Sequence, residues 1–303
     1  MRLIQYPRND QRGTRHARHS DSKLLTIATQ AGAECGNLCD ADWWKTATEA
    51  DVQAELDGGA DVMARDDIDR TPLHVAASGS TVENVQLLLE SGADVSGTSS
   101  VFFGYTPLHF AASSDNGAII QVLLDAGADL MATDEVGSTP LQVAAAFGTP
   151  ANMQVLINAG ADVMAHAADG TTPLHVAAAF GNPADIQFLL KAGANVMVRN
   201  KLGETPIHRA AASWKNVETI QVLLDAGADI IARDENGNTP LHSATLSKVF
   251  NVGKIGKIEA LLDAGAGSKA KNEEGKTPWD YAQENEKLKG TKGYWALNDA
   301  QYD

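Results

Sequence analysis

The chain has 303 residues, with 24 lysines and arginines against 39 aspartates and glutamates, a formal net charge of −15. An acidic body repels phosphate backbones, which argues against nucleic acid as a ligand, and no run approaches the ~18 apolar residues needed to span a bilayer. Hydrophobic residues make up 44% but aromatics only 6%, a balance that suits short helices stacked through alanine and leucine.

Residues 1–20 hold five arginines and one aspartate, a local charge of +4 that leaves −19 for the remainder. With Pro7, Gly13, His16 and His19 and no apolar periodicity, this stretch reads as a disordered leader. Its arginines would suit a secretory n-region. The apolar segment that follows, Leu24, Leu25, Ile27 and Ala28, is short and broken by Thr26, Thr29 and Gln30, while Ala31-Gly32-Ala33 would suit cleavage. Residues 1–39 are therefore expected to be a disordered leader or a poorly formed export signal. The location stays open between cytoplasm, for lack of a good hydrophobic region, and periplasm or exterior. Cys35 and Cys39 lack the two further ligands of a zinc site. A small disulfide loop and two free thiols both fit them.

A first, degenerate unit spans 40–65. Asp40 to Ala47 would be its first helix, and Trp43 and Trp44 are expected to cover an open end of the protein. Thr48-Glu49-Ala50-Asp51 has the form of a capping box, with Asp where Glu or Gln is usual. Val52 and Leu56 would be the buried pair of the second helix.

From Thr71 onward one unit recurs. Thr71-Pro72-Leu73-His74 returns at Thr106, Thr139 (with Gln142 in place of His), Thr172, Thr205 (with Ile207 in place of Leu), Thr239 and Thr277 (as Thr-Pro-Trp-Asp), in steps of 35, 33, 33, 33, 34 and 38 residues. The threonine suits a helix N-cap, and proline fits the first helical position, where its missing N–H costs nothing. A second apolar helix follows, as in Val82 to Leu89 with Val85, Leu88 and Leu89 at i, i+3, i+4. Gly-Ala-Asp then ends it at Gly59, Gly92, Gly127, Gly160 and Gly227, with Gly-Ala-Asn at Gly193. Its aspartates, such as Asp94, Asp129, Asp162 and Asp229, are expected to bond turn N–H groups. Thr149-Pro150 and Asn182-Pro183 place a further cap and proline before two of the second helices. A period near 33 carrying T-P-L-H-x-A resembles the ankyrin-repeat family. The resemblance implies an all-α solenoid over residues 40–303, about eight helix–turn–helix units with β-turn or hairpin tips, the first and last acting as caps.

Three insertions interrupt the period: before Thr106, in Ser99 to Tyr105; near Trp214-Lys215-Asn216; and after Thr245, from Leu246 to Gly256. They are expected in loops, or in an extension of the first helix after Thr245, because core register forbids them elsewhere. Asp69 stands where other units have glycine, and Asp tolerates the left-handed region better than most residues. The last unit, from about Asn272, is charged in its second helix, as a terminal unit with one polar face should be. Its Lys-Thr-Pro-Trp-Asp-Tyr-Ala at 276–282 and Tyr-Trp-Ala-Leu-Asn-Asp at 294–299, with the opening Leu38-Cys39 to Thr48, resembles the caps of a bacterial ankyrin-repeat group. Members of that group often carry an export signal.

His74, His109, His175, His208 and His242 fall in the repeated motif. Neighbouring units lie roughly 10 Å apart, so two imidazoles cannot share one ion at ~2 Å bonds. They are read as structural, each bonding its own unit to the next, and Gln142 supports this because an amide can replace an imidazole as donor and acceptor. No paired carboxylates, phosphate-cradling loop or nucleophile elbow is found, so no catalytic, cofactor or metal residue is assigned. The expectation is a monomeric, non-catalytic protein–protein interaction module, with a secreted effector or an inhibitor of a partner enzyme as the alternative. The resemblance places partners on the concave side, at turn tips and first-helix ends. There the chain offers Phe102, Phe103, Tyr105, Phe147, Phe180, Trp214, Lys201 and Glu204, and aromatics gathered on one face are typical interface anchors.

Overall fold

A computed structural model describes residues 35–100, 103–213, 216–246 and 252–302. Residues 1–34, where a leader or export signal is expected, Phe102, Trp214 and the centre of the insertion after Thr245 lie outside the described residues.

Every unit from the second onward begins its first helix at the repeated proline. These first helices are α2 (Pro72–Gly79), α4 (Pro107–Ala112), α6 (Pro140–Phe147), α8 (Pro173–Phe180), α10 (Pro206–Ala212), α12 (Pro240–Leu246) and α14 (Pro278–Glu284). The second helices are α1 (Glu49–Asp57), α3 (Val82–Glu90), α5 (Gly117–Asp125), α7 (Pro150–Asn158), α9 (Pro183–Lys191), α11 (Glu218–Asp225), α13 (Val252–Asp263) and α15 (Lys292–Asp299). In the first unit two 3-10 turns, Gly36–Cys39 and Trp43–Lys45, stand in for the first helix. Each first helix packs on the first helices before and after it, and the second helices do likewise. The result is an α-solenoid of two helical layers, which fits units that cannot bury an apolar face alone.

The core runs unbroken from Leu38 and Trp44 to Leu288 and Leu297. The paired alanines of the first helices, such as Ala76–Ala77 and Ala144–Ala145, are fully buried. Their small side chains allow close approach: a Cβ added at Gly181, just after α8, would meet Ala145 O of the neighbouring unit at 2.9 Å. No strand forms among the described residues; Ser99 and Tyr105 make one isolated antiparallel bridge. The turn tips are joined by single backbone bonds from unit to unit, including Ala168 N–H to Val136 O (3.0 Å), Lys201 N–H to Asp169 O (2.9 Å) and Glu235 N–H to Leu202 O (2.9 Å).

Local chemistry sets these elements as their residue types suggest. Thr48 and Asp51 form a reciprocal capping box at α1, and Thr149 and Asn182 cap α7 and α9. Asp129 Oδ1 accepts Met131 N–H at 2.9 Å and Asp162 Oδ1 accepts Met164 N–H at 2.8 Å. Asp69 adopts φ 61°, and its carboxylate reaches the next unit, accepting the Ser100 N–H (2.9 Å) and hydroxyl (2.6 Å). Those two bonds, the hydroxyl above all, hold the Asp69 carboxyl below the usual carboxylate value. At the first end, Trp44 is buried, its Nε1–H donating to Leu38 O at 2.9 Å, and a disulfide joins Cys35 to Cys39.

Candidate interaction face

The five motif histidines occupy equivalent places at the base of the turns. Nδ1 of His74 accepts the Thr71 N–H at 3.1 Å, which fixes the ring as the tautomer protonated on Nε2. That Nε2–H then donates to Tyr105 O of the next unit at 3.1 Å. His109 reaches Ser138 O, His175 Glu204 O, His208 Asn238 O and His242 Lys276 O, at 2.9–3.1 Å. Gln142 reproduces the pair: Oε1 accepts the Thr139 N–H at 2.9 Å and Nε2–H donates to Thr171 O at 2.7 Å. Each side chain therefore closes a helix start and ties it to the following turn. Burial strips water from the rings and holds His74, His109 and His175 down at about 4, with His208 and His242 also below the ordinary imidazole value. These imidazoles are neutral at pH 7. Replacing His175 with Ala, which strands the buried Thr172 N–H and the part-buried Glu204 carbonyl, should cost roughly 1–3 kcal/mol in urea unfolding. His175→Gln should cost well under half of that, since Gln142 already fills the role.

A second set of buried polar side chains ties second helices to the preceding unit. Asn84 Nδ2–H donates to Ala47 O at 2.9 Å, and Asn152 Nδ2–H to Ser114 O at 2.6 Å and Ala112 O at 3.2 Å. Lys257, allowing for the insertion, takes the corresponding place on α13. Its fully buried ammonium donates to Ala210 O (2.7 Å), Ser213 O (3.0 Å) and Ser213 Oγ (2.6 Å). All three reach carbonyls at the end of the preceding unit's first helix or turn, where the helical bonding pattern runs out. The signal for this in the sequence is a polar residue thirteen positions after the cap threonine, at Asn84, Asn152 and also Asp185, which closes the capping box with Asn182.

The residues expected to meet a partner divide. Phe147, at the end of α6, is 43% exposed, and its ring stacks on half-buried Phe180, at the end of α8, with centroids 6.5 Å apart. Phe103 is 41% exposed at the inserted turn, with φ 55°, and Lys201 is exposed at its turn tip. Leu202 and Leu246 are further exposed apolar side chains at a tip and a first-helix end. Tyr105, expected on the same surface, is instead buried. Its C=O accepts the Ser99 N–H at 2.9 Å in the isolated bridge, and its ring lies inward, stacked on His109 at 5.0 Å and edge-on to Phe110 at 5.9 Å. Glu204 is half-buried and turned back on its own unit, where its carboxylate accepts from Asn200 (2.9 Å) and pairs with Arg209 (3.4 Å). Phe102 and Trp214 lie outside the described residues. Among the described residues, no helix is long and apolar enough to cross a membrane.

A family model described as ankyrin repeats (3 copies) matches residues 47–134, 130–200 and 181–255. No curated protein matches this chain.

Proposed function

Because the chain belongs to the ankyrin-repeat family, whose repeats are generally protein–protein interaction modules and typically non-catalytic, we propose that it is a monomeric, non-catalytic module that binds a protein partner on the concave face of its solenoid. The observation that carries this reading is the exposed Phe147, stacked on Phe180 of the next unit, with Phe103, Leu202 and Leu246 also exposed at tips and first-helix ends. Water contact with large apolar side chains is unfavourable, so burying them beneath a partner is the gain available at this surface. The stack holds its rings in place before docking, so little further ordering entropy is lost. Lys201 would supply a polar contact at the rim, whereas Glu204 braces the turn that presents it.

The test begins with partners cross-linked to the intact chain and identified by mass spectrometry. Phe103→Ala combined with Phe147→Ala should then weaken binding of a recovered partner by about tenfold or more. The melting temperature should barely move, since exposed side chains outside the core contribute little to it. Unchanged affinity with a large loss of stability would assign both rings to packing and remove the proposal.

The Cys35–Cys39 disulfide favours a second reading, in which the protein acts as an exported effector or inhibitor of a partner enzyme, because disulfides persist in oxidising compartments. Intact mass of the protein from its native source decides it. Cleavage near Ala33 with the bond formed supports export; an uncleaved chain with two thiols rejects it.

A further inference from the structure

Of the six methionines in the chain, four occupy one register, four residues after the glycine that ends a second helix: Met63, Met131, Met164 and Met197. Three of their sulfurs do the same work. Met63 Sδ accepts the Asp94 N–H at 3.3 Å, Met164 Sδ the Asn195 N–H at 3.4 Å, and Met197 Sδ the Asp229 N–H at 3.2 Å. Each bond crosses from one repeat to the next, joining the first repeat to the second, the fourth to the fifth and the fifth to the sixth. These residues also reach solvent: Met63 is 44% exposed, Met197 38%, and Met164 is half-buried. Met131, at the same register and 39% exposed, makes no such bond among the described residues. Met153 is fully buried in the core.

We propose that Met63, Met164 and Met197 are reversible oxidation sites, whose conversion to the sulfoxide by a peroxide uncouples the repeat junctions they bridge. A thioether sulfur carries two lone pairs, and in each of these residues one is taken by the N–H of the next repeat. The other attacks the peroxide oxygen. A sulfur–oxygen bond forms, the O–O bond breaks, and the departing hydroxide takes a proton and leaves as water. The sulfur is oxidised by two electrons and the peroxide reduced by two. The new oxygen sits on the side away from the N–H. The sulfur, now electron-poor, is a weaker acceptor, so the inter-repeat bond is lost, while the side chain becomes polar and bulkier. Reduction by two thiols returns the thioether, with a disulfide and water as products, the chemistry of sulfoxide reductases. Because stability in a stacked array is a sum over units and their junctions, damage at a junction falls on cooperativity along the array.

The full chain is treated with graded hydrogen peroxide, and oxidation is followed by peptide mass spectrometry alongside amide hydrogen exchange. Met63, Met131 and Met197 should oxidise at least about tenfold faster than Met153, which peroxide reaches only on opening. Exchange at the Asp94, Asn195 and Asp229 amides should accelerate, with no matching change at Asp162, the equivalent position after Met131. The melting temperature should fall by about 2–5 °C and recover on treatment with methionine sulfoxide reductases. A variant with Met63→Leu, Met164→Leu and Met197→Leu, close in volume and without sulfur, should show no further fall with peroxide; if it fails to fold, Met197→Leu alone tests the Asp229 amide. Full oxidation that leaves the three amides and the melting temperature unchanged overturns the proposal, as does oxidation of Met153 in step with the others. Neither outcome bears on partner binding, which is read separately.

Discussion

Acidification from pH 7 to pH 5 should already destabilise this protein severely, above the range in which ordinary carboxylates titrate. His74, His109 and His175 are held at about 4 by burial, against an ordinary value of 6.5. Between those values the unfolded chain binds protons that the folded chain refuses. Stability therefore falls with pH, starting near 6.5 and levelling off near 4. For each of these rings the full difference is on the order of 3 kcal/mol, so three together rival the ~5–15 kcal/mol that holds a typical domain folded. His208 and His242 shift the same way. The mechanism is specific: a second proton on Nδ1 removes the acceptor for the threonine N–H and opens the cap while it charges a dry site. Asp134 opposes the trend, since burial raises its carboxyl and the folded form then gains as pH falls. Urea melts at pH 7, 6, 5 and 4 measure the profile. Replacing His74, His109 and His175 together with Gln should flatten it. A wild-type profile that is level down to pH 4.5 would mean that protons reach these rings without cost.

Trp44→Ala should be the most damaging single substitution at the first end, costing about 3–5 kcal/mol through lost burial and the cavity left behind. Trp44 is 2% exposed and its ring meets Trp43 edge-on at 5.0 Å. The 3-10 turn that carries both rings packs on α2, as does the turn at Gly36–Cys39. Because each unit leans only on its neighbours, the loss should stay local. Hydrogen exchange should quicken in α1 and α2 and remain slow in α10 and α12. A uniform rise along the chain would show that the stack opens as one body.

Much of this architecture could be read before any coordinates. The contacts involved are short in sequence or repeat with the period. A threonine and a histidine three residues apart must meet at a helix start, because helix geometry leaves no other arrangement. The His74 bond to Tyr105 crosses 31 residues, yet it falls at the period of the repeat. Glycine at the turn tips and aspartate at position 69 were likewise marked by the backbone angle the turn requires. By itself, then, the sequence determined the unit, its caps, its stacking and the ladder of structural histidines, whose neutral state follows from their burial in the fold.

Other features depended on what a side chain meets after stacking. Tyr105 and Phe103 sit two residues apart in one inserted turn, and nothing local says that the first turns inward over His109 while the second remains exposed. Glu204 looks like a free tip carboxylate until Arg209 and Asn200 are placed beside it. Nothing in the sequence around Lys257 marks it as buried; the helix end of the preceding unit supplies the acceptors Ala210 O, Ser213 O and Ser213 Oγ that allow its charge to be buried. The methionine sulfurs become acceptors only because the next repeat brings an N–H within 3.2–3.4 Å. These choices were settled by the tertiary structure, because each compares the hydration of one side chain with partners that exist only once two units are in contact.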